Sequence, residues 1–459
     1  MGLENAKRQK SEQLELPLIY WGETLKDQRS VEALTAAYDE KRSSNEQLME
    51  QVVVEGNMLA ALKRVRRNKG SPGIDGMNVE ELTEYMVVNW GRIRQELLTG
   101  SYQPQPVKRV EIPKSNGGVR QLGIPTVIDR MIQQMVLNVL QPQFDPTFSE
   151  HSYGFRPGRN AHQAVKAARE YIQAGRKWVV DVDLEKFFDR VNHDILMSRL
   201  AKRIKDKRML GLIRRYLEAG VMAQGVVMER WEGTPQGGPL SPLLANVLLD
   251  EVDKELGRRG HAFVRYADDG NVYVKSQRAA NDVMKTLKRL YAGLKLKINE
   301  TKSGVMRTSK SQYLGYGFWT AKGMTVKCRV APKALKAMKE RVRQITSRTG
   351  GRSLEQRAKE LKAYLPGWKE YFRLAETPNI FAGLDGWINR RLRMVRLKQW
   401  KHGMTTYRGL LAAGVNAKAA ASVAACPRRW WKMAGTSALN IAMPNSYFAK
   451  LGVPKLAEV

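Results

Sequence analysis

The sequence predicts a mixed α/β region followed by an α-helical region. Through the middle of the chain, short apolar runs of strand length alternate with apolar positions at helical spacing. After about residue 330 helical spacing dominates, and lysine and arginine occupy faces beside the apolar stripes. The 459 residues correspond to roughly three domains at about 150 residues each, enough to bury cores without disulfides.

The predicted elements begin after a polar N-terminal stretch that lacks the apolar core of a signal peptide. Residues 48–65 have the spacing of a helix. Residues 107–112 and 118–124 flank a glycine-rich turn, which predicts a hairpin. Residues 178–184 form a short apolar run with two aspartates, which favours a strand, and residues 239–256 favour a helix.

A second hairpin and two further helices complete the pattern. The hairpin covers 262–274 and has Asp268, Asp269 and Gly270 at its predicted turn. One helix starts at Pro332, a residue that suits the first helical position, and another covers about 384–401. Their apolar stripes are Leu335, Met338, Val342 and Ile345, and Leu384, Ile388, Leu392 and Val395. The change to helical texture places a domain boundary near 325–332.

The charge of the chain indicates a polyanionic partner. Lys and Arg number 78 against 45 Asp and Glu, a formal net charge of +33. Such an excess repels itself in the folded protein, and a nucleic acid relieves the repulsion. A solvated basic surface is the alternative. Arg390, Arg393 and Arg396 share one face of the last predicted helix, and we predict that they contact nucleic acid.

Cysteine content and hydropathy argue against several other classes. Cys328 and Cys426 are far apart and in no paired motif, which argues against a zinc finger or disulfide framework and fits a reducing cytoplasm. No run approaches the roughly 18 apolar residues of a membrane span. The basic residues are spread along the chain rather than gathered in one amphipathic helix, so no membrane partner is expected.

Three aspartates, Asp183, Asp268 and Asp269, are the candidate catalytic groups, and a fourth, Asp181, lies close to them in sequence. Adjacent carboxylates at Asp268 and Asp269 repel each other, and a divalent cation with hard oxygen ligands would compensate. A solvated turn is the alternative, because Asp-Gly is a common hairpin signal. Asp181 and Asp183 project from the same face of the predicted strand. Asp183 facing the hairpin pair is able to hold two cations, whereas we expect Asp181 to be an ordinary capping or surface acid.

Several motifs resemble those of reverse transcriptases, specifically the multifunctional proteins encoded by bacterial group II introns. YADD at 266–269 and DLEKFFD at 183–189 resemble the two catalytic segments of the family. Segments 233–246, 294–303 and 313–317 resemble further polymerase motifs, and 68–76, 112–125 and 152–159 resemble the fingers and the group II intron branch. They stand in the expected order over roughly 65–320. Looser motifs at 365–372 and 384–393 resemble the thumb, or maturase, domain.

The resemblance implies an α/β right-hand polymerase, with fingers and a palm built on an antiparallel sheet, followed by an α-helical thumb/maturase domain. The expected division is 1–66 for an N-terminal extension and the start of the fingers, 67–325 for fingers and palm, and 326–400 for the helical domain. Residues 401–459 would be a basic C-terminal segment, with DNA binding as one interpretation.

The resemblance also implies roles for individual residues. Asp183, Asp268 and Asp269 would hold two catalytic Mg²⁺ ions. Lys114 and Arg120 would grip the triphosphate, Phe188 would exclude a ribose 2′-hydroxyl, and Gln236 would contact nucleotide or template. For Lys302, protonation of the leaving pyrophosphate and a plain surface position are equal alternatives.

The partners implied are group II intron RNA, an RNA template with a DNA primer, target DNA and deoxynucleoside triphosphates, in a bacterial cytoplasm. The expected function is RNA-directed DNA synthesis together with assistance to intron splicing and retrohoming. Two alternatives are a non-enzymatic RNA-binding splicing factor and a domesticated host reverse transcriptase of a defence or retron type. We also expect no metal-dependent endonuclease module, so that insertion would take its primer from elsewhere.

Overall fold

A computed structural model describes residues 47–113, 119–223, 226–228, 232–234, 237–426 and 428–457. Its first part alternates helices and strands. In chain order the helices are α1 (Leu48–Val52), α2 (Glu55–Arg67), α3 (Leu82–Thr99), α4 (Val127–Phe144), α5 (Ala161–Gln173), α6 (His193–Ala201), α7 (Lys207–Glu218), α8 (Ser241–Arg258) and α9 (Gln277–Gly293). The strands are β1 (Val107–Pro113), β2 (Val119–Ile124), β3 (Trp178–Val182), β4 (Val221–Ala223), β5 (Val226–Met228), β6 (Ala262–Tyr266), β7 (Asp269–Val274), β8 (Gly304–Arg307), β9 (Gln312–Tyr313), β10 (Tyr316–Thr320) and β11 (Val326–Val330).

The second part is helical. Its helices are α10 (Pro332–Ile345), α11 (Leu354–Tyr371), α12 (Pro378–Gln399), α13 (Gly403–Ala412), α14 (Ala417–Ala424), α15 (Trp430–Met433), α16 (Ser437–Ala442) and α17 (Asn445–Lys450). The change from strands to helices falls between Val330 and Pro332, so mixed α/β structure is followed by helical structure in the predicted order. None of the helices in the described ranges is long and apolar enough to cross a bilayer.

A four-stranded antiparallel sheet in the order β6-β7-β3-β8, called the central sheet below, holds both aspartate-bearing segments. The predicted strand and second hairpin therefore pair with each other. Val182, the last residue of β3, pairs with Gly270, the second residue of β7. This register brings the end of β3 beside the hairpin turn.

The turn of the β6–β7 hairpin differs by one residue from the prediction. Tyr266 pairs with Asp269, so the two-residue turn consists of Ala267 and Asp268, and Asp269 already belongs to β7. Ala267 takes the left-handed conformation, φ 58°, that such a turn needs. Gly270 lies instead within β7, where it pairs with β3. The Asp-Gly signal is overridden by sheet pairing.

The helix predicted over 48–65 is two helices, α1 and α2, with a break at Val53 and Val54. Val54 is extended and precedes α2 as its N-cap residue. The Asn57 side chain donates to Val52 O at 2.9 Å and to Met135 O at 3.1 Å. The break therefore has a polar anchor on α4, a contact that local spacing does not reveal.

The predicted first hairpin is confirmed as β1 and β2, which pair from Lys108↔Ile124 to Pro113↔Val119. β1 also pairs in parallel with β4, which places the hairpin in a second sheet of order β2-β1-β4-β5. The residues between its strands, 114–118, lie outside the described ranges.

Three apolar cores hold these elements. The largest spans Leu48 to Ile298. A second spans Met338 to Leu456 and includes the predicted stripes of α10 and α12, with Leu335 packed at its margin. The helices after residue 400 therefore pack in the same core as α10, α11 and α12. The third core joins the parts: it combines Val179 and Tyr273 of the central sheet with Tyr316, Phe318 and Phe372.

Candidate active site

Three aspartates predicted to act together lie at one edge of the central sheet. Asp183 directly follows β3, Asp268 is the second turn residue, and Asp269 begins β7. Because β3 and β7 are neighbours, these segments meet. The carboxylates influence one another: Asp268 and Asp183 both act on the ionisation of Asp269.

Asp183 is held by the loop between α9 and β8. Its N–H donates to Ser303 Oγ at 2.9 Å, and its carbonyl accepts from Asn299 N at 2.9 Å and from Ser303 Oγ at 3.2 Å. Lys302 Nζ lies 3.2 Å from Oδ2 and 3.4 Å from Oδ1 of Asp183. Neither expectation for Lys302 included this contact. Its exposed ammonium is the counter-ion of Asp183, a candidate metal ligand.

The site disfavours the full set of negative charges. Desolvation of the Asp269 carboxyl, together with the charges of Asp268 and Asp183, raises the pKa of Asp269 to about 6. Burial, with repulsion from Asp269 and Asp183, raises the pKa of Asp181 to about 7. A cation entering among these carboxylates would lower both pKa values.

The expectation that Asp181 is an ordinary cap or surface acid is wrong. Asp181 lies inside β3, half-buried, and pairs in register with Asn271 of β7. The Asn271 carboxamide nitrogen, assigned by its surroundings, donates to Asp181 Oδ1 at 2.9 Å. The alternation of side chains along the strand had placed Asp181 on the same face as Asp183. That placement was the better guide to the position of Asp181.

The donor set suits Mg²⁺, which prefers hard oxygen ligands. Among the residues that the structure describes, no three acidic, histidine or cysteine side chains are gathered closely enough to enclose an ion by themselves. Mg²⁺ usually takes only one or two carboxylates and completes its shell with water and substrate phosphates. Asp183 and the Asp268–Asp269 pair fit that pattern better than a closed protein cage.

The two neighbouring phenylalanines after β3 have different environments. Phe187 is buried, whereas Phe188 is half-buried and packs at the margin of the large core. Their rings meet edge-to-face with centroids 5.1 Å apart. The carbonyl of Phe188 accepts from Thr234 N at 2.6 Å, so the segment is fixed against the 232–234 loop. Phe188 therefore keeps part of its surface open to a ligand, and Phe187 does not.

Three of the predicted nucleotide-binding side chains lie outside the part of the chain that the structure describes. Lys114 and Gln236 lie outside the described residues. Arg120 pairs through its backbone with Ile112 in the β1–β2 hairpin, and its side chain lies outside the description. The roles of these three residues stay predictions.

The three arginines of α12 have protein partners. Arg390 Nη2 donates to Trp431 O at 3.0 Å, and its guanidinium lies 4.2 Å from the centre of that ring. Arg396 Nη2 donates to Tyr447 OH at 3.0 Å. Both are half-buried and keep part of their surface toward solvent. They can still meet a phosphate.

Arg393 departs from the prediction. It is 6% exposed, and its Nε donates to Met443 O at 2.9 Å. Its guanidinium also lies over the Phe448 ring, 5.8 Å from the centre. Helices α16 and α17 cover this part of the arginine face, so Arg393 supports packing rather than an open nucleic-acid surface.

The exposed cations of the helical part stand elsewhere. Those between Trp387 and Lys432 are Lys398, Lys401, Arg408, Lys418, Arg428, Arg429 and Lys432. No Asp or Glu occurs between Gly386 and Ala457. Beside Arg390, the exposed Trp431 ring adds an aromatic face. Basic side chains next to a stacking surface suit single-stranded or structured nucleic acid.

Two protein families match this chain. The family described as reverse transcriptase (RNA-dependent DNA polymerase) matches residues 112–318, and the group II intron maturase-specific domain matches residues 335–411. Both aspartate-bearing segments lie in the first match, and α12 lies in the second.

Individual relatives agree with these matches. Protein YkfC of Escherichia coli is 33% identical over 296 residues, which are 55% of this chain and 78% of that protein. The group II intron-encoded protein LtrA of Lactococcus lactis is 42% identical over 164 residues, 36% of this chain but 27% of LtrA. A solved partial Cas6-RT-Cas1–Cas2 complex covers 54% of this chain and 42% of its own, at 27% identity and a TM-score of 0.35.

Proposed function

Because the chain belongs to the reverse transcriptases that carry a group II intron maturase-specific domain, we propose that Asp183, Asp268 and Asp269 hold two Mg²⁺ ions for DNA synthesis on an RNA template. The observation that carries this is the meeting of the three carboxylates at one sheet edge. The central sheet would then be the palm and the helices after Pro332 the thumb.

The reaction joins a primer 3′-hydroxyl to the α-phosphate of a deoxynucleoside triphosphate and releases pyrophosphate. Bound ions supply activation of the hydroxyl and stabilisation of the leaving group. Asp183, fixed by Ser303 and Asn299, orients the site from the strand side. Lys302 neutralises Asp183 and lies ready to meet a phosphate when the carboxylate takes another partner.

The helical part would grip RNA. No Asp or Glu occurs between Gly386 and Ala457 to neutralise the exposed cations of that stretch. Phosphates are therefore their natural counter-ions. Binding of intron RNA there would assist splicing, and copying of that RNA at a DNA target would complete retrohoming. The intact carboxylates argue against a purely RNA-binding protein, and the maturase-specific match argues against a defence or retron enzyme.

The test is primer extension by the purified protein. With an RNA template, a DNA primer, deoxynucleotides and Mg²⁺, we expect a full-length DNA product, and EDTA should stop its formation. A protein that binds intron RNA but extends no primer with any divalent cation would be a splicing factor only.

Replacing Phe188 with alanine should relax the choice of sugar. Phe188 lies five residues after Asp183, its ring is half-exposed, and its backbone carbonyl is held by Thr234 N. Removing the ring removes a clash that only a ribonucleotide suffers, so ribonucleotide use should rise by about 10- to 100-fold relative to deoxynucleotide use. Single-nucleotide incorporation with each sugar measures the ratio.

The neighbouring Phe187→Ala is the matched control. Phe187 is buried, so its loss should lower stability by about 3–5 kcal/mol and reduce the use of both sugars alike. An unchanged sugar ratio in a folded Phe188→Ala protein would remove Phe188 from the site.

A further inference from the structure

Strand β6 carries a charged side chain into the interior directly beneath the aspartate turn. Arg265 is 2% exposed and Asp253 of α8 is 1% exposed. Arg265 Nε lies 2.9 Å from each carboxylate oxygen of Asp253, and Nη2 lies 2.6 Å from Oδ2. Buried charges are tolerated only with partners of this quality, so the pair calls for an explanation beyond packing.

The remaining guanidinium nitrogen reaches the turn. Arg265 Nη1 donates to the carbonyl of Ala267 at 2.9 Å and to Asn246 Oδ1 at 2.9 Å. Asn246 is fully buried, and its Nδ2 donates to Gly154 O at 3.0 Å. One guanidinium thus ties α8, the turn and the 151–154 loop together.

The same loop presses on the turn from the other side. The backbone of Arg265 bonds to His151 O at 2.9 Å and accepts from Tyr153 N at 2.8 Å. A Cβ on Gly154 would lie 2.1 Å from Ala267 N, so only glycine permits this approach. Ala267 itself is held in a left-handed conformation that alanine disfavours. The turn is over-determined by its surroundings.

We propose that Arg265 is a positioning residue, which with Asp253 and Asn246 clamps the Ala267 carbonyl and so aims Asp268 and Asp269 at Asp183. The proposal rests on the function proposed above, because it gives the clamp a task in metal-dependent synthesis. A pair of apolar residues could fill the same space, but it would leave the Ala267 carbonyl without its donor.

Burial opposes the charge of both partners. Burial raises the pKa of Asp253 despite Arg265, while Asp253 outweighs burial and raises the pKa of Arg265. The close contacts of Nε and Nη2 with both carboxylate oxygens favour the ionised pair. Because an arginine side chain keeps its proton in proteins, the donor to Ala267 stays in place.

The experiment removes the clamp while keeping the fold. Arg265→Met with Asp253→Leu replaces the pair by apolar side chains, a change that buried ion pairs often tolerate. We expect a thermal midpoint and RNA affinity near those of the wild type, kcat lower by about 10- to 100-fold, as for supporting residues of metal ligands. Deuterium exchange should become faster in peptides spanning 262–274. The matched control, Arg199→Met with Glu251→Leu, removes another ion pair of α8 and should change neither kcat nor exchange.

A second variant covers failure of the first to fold. Gly154→Ala leaves the ion pair intact and disturbs the turn from the opposite side, so it should also lower kcat and speed exchange at 262–274. Normal kcat and normal exchange in a folded variant overturn the clamp, and so does a loss of synthesis that only follows loss of the fold in both variants. Absence of synthesis in the wild-type protein would instead overturn the proposed function.

Discussion

Replacing Asp268 with asparagine should reduce DNA synthesis by about three orders of magnitude and leave RNA binding intact. Asparagine keeps the size of the side chain but removes the charge of a hard oxygen ligand. Loss of several kcal/mol of electrostatic stabilisation, at about 1.4 kcal/mol per factor of ten, corresponds to such a decrease. Asp183→Asn should act alike, because the two carboxylates meet at one edge of the sheet.

Primer extension and RNA binding should be measured on the same preparations. Asp282→Asn is the matched control, since Asp282 is an exposed aspartate of α9 away from the sheet edge. That variant should behave like the wild type. Near-normal synthesis by Asp268→Asn would mean that the metal site lies elsewhere.

Affinity for RNA should fall steeply with salt. A protein with six to ten phosphate contacts loses about 10³- to 10⁵-fold in affinity between 50 and 200 mM salt, because bound counter-ions are released on association. The net charge of +33 and the acid-free stretch from Gly386 to Ala457 place this protein in that class. A flat dependence would contradict the basic-surface argument.

Charge reversal separates RNA grip from chemistry. Arg390→Glu with Arg396→Glu should weaken intron RNA binding and splicing more than synthesis on a short template, and should flatten the logarithmic salt slope by about one per lost phosphate contact. Lys285→Glu with Arg289→Glu on α9 makes the same change of charge on an exposed face of the first part. If the Arg390→Glu, Arg396→Glu variant lost more synthesis than RNA binding, the proposed division between RNA binding and synthesis would be contradicted.

The sequence was sufficient where a signal is local. Adjacent carboxylates, alternation along β3 and helical stripes identified the sheet edge and the helices around Met338 and Leu392. It was insufficient where distant segments decide. The local sequence predicted an open arginine face on α12. Met443 and Phe448, some fifty residues further along the chain, cover Arg393.

Two other differences have the same origin. The break between α1 and α2 depends on Asn57 reaching α4, and the hairpin turn shifts because β3 pairs with Gly270. Arg265 was missed because a charged residue in a strand gives no local sign of a buried carboxylate on α8. Long-range pairing, not propensity, settled each case.

The third core packs the helical part of the chain against the central sheet. Tyr371 OH donates to Leu314 O at 3.0 Å, and Tyr371 O bonds to His162 Nε2 at 2.7 Å. The Phe372 ring lies 5.2 Å from that of Tyr316 and closes over Gly315, whose left-handed φ of 80° and lack of a side chain permit the contact. Close-packed interiors transmit displacement instead of absorbing it. Nucleic acid bound to the helical part, as proposed above, would then be held at a set distance from the carboxylates, and a displacement of the helices would be passed on to the sheet.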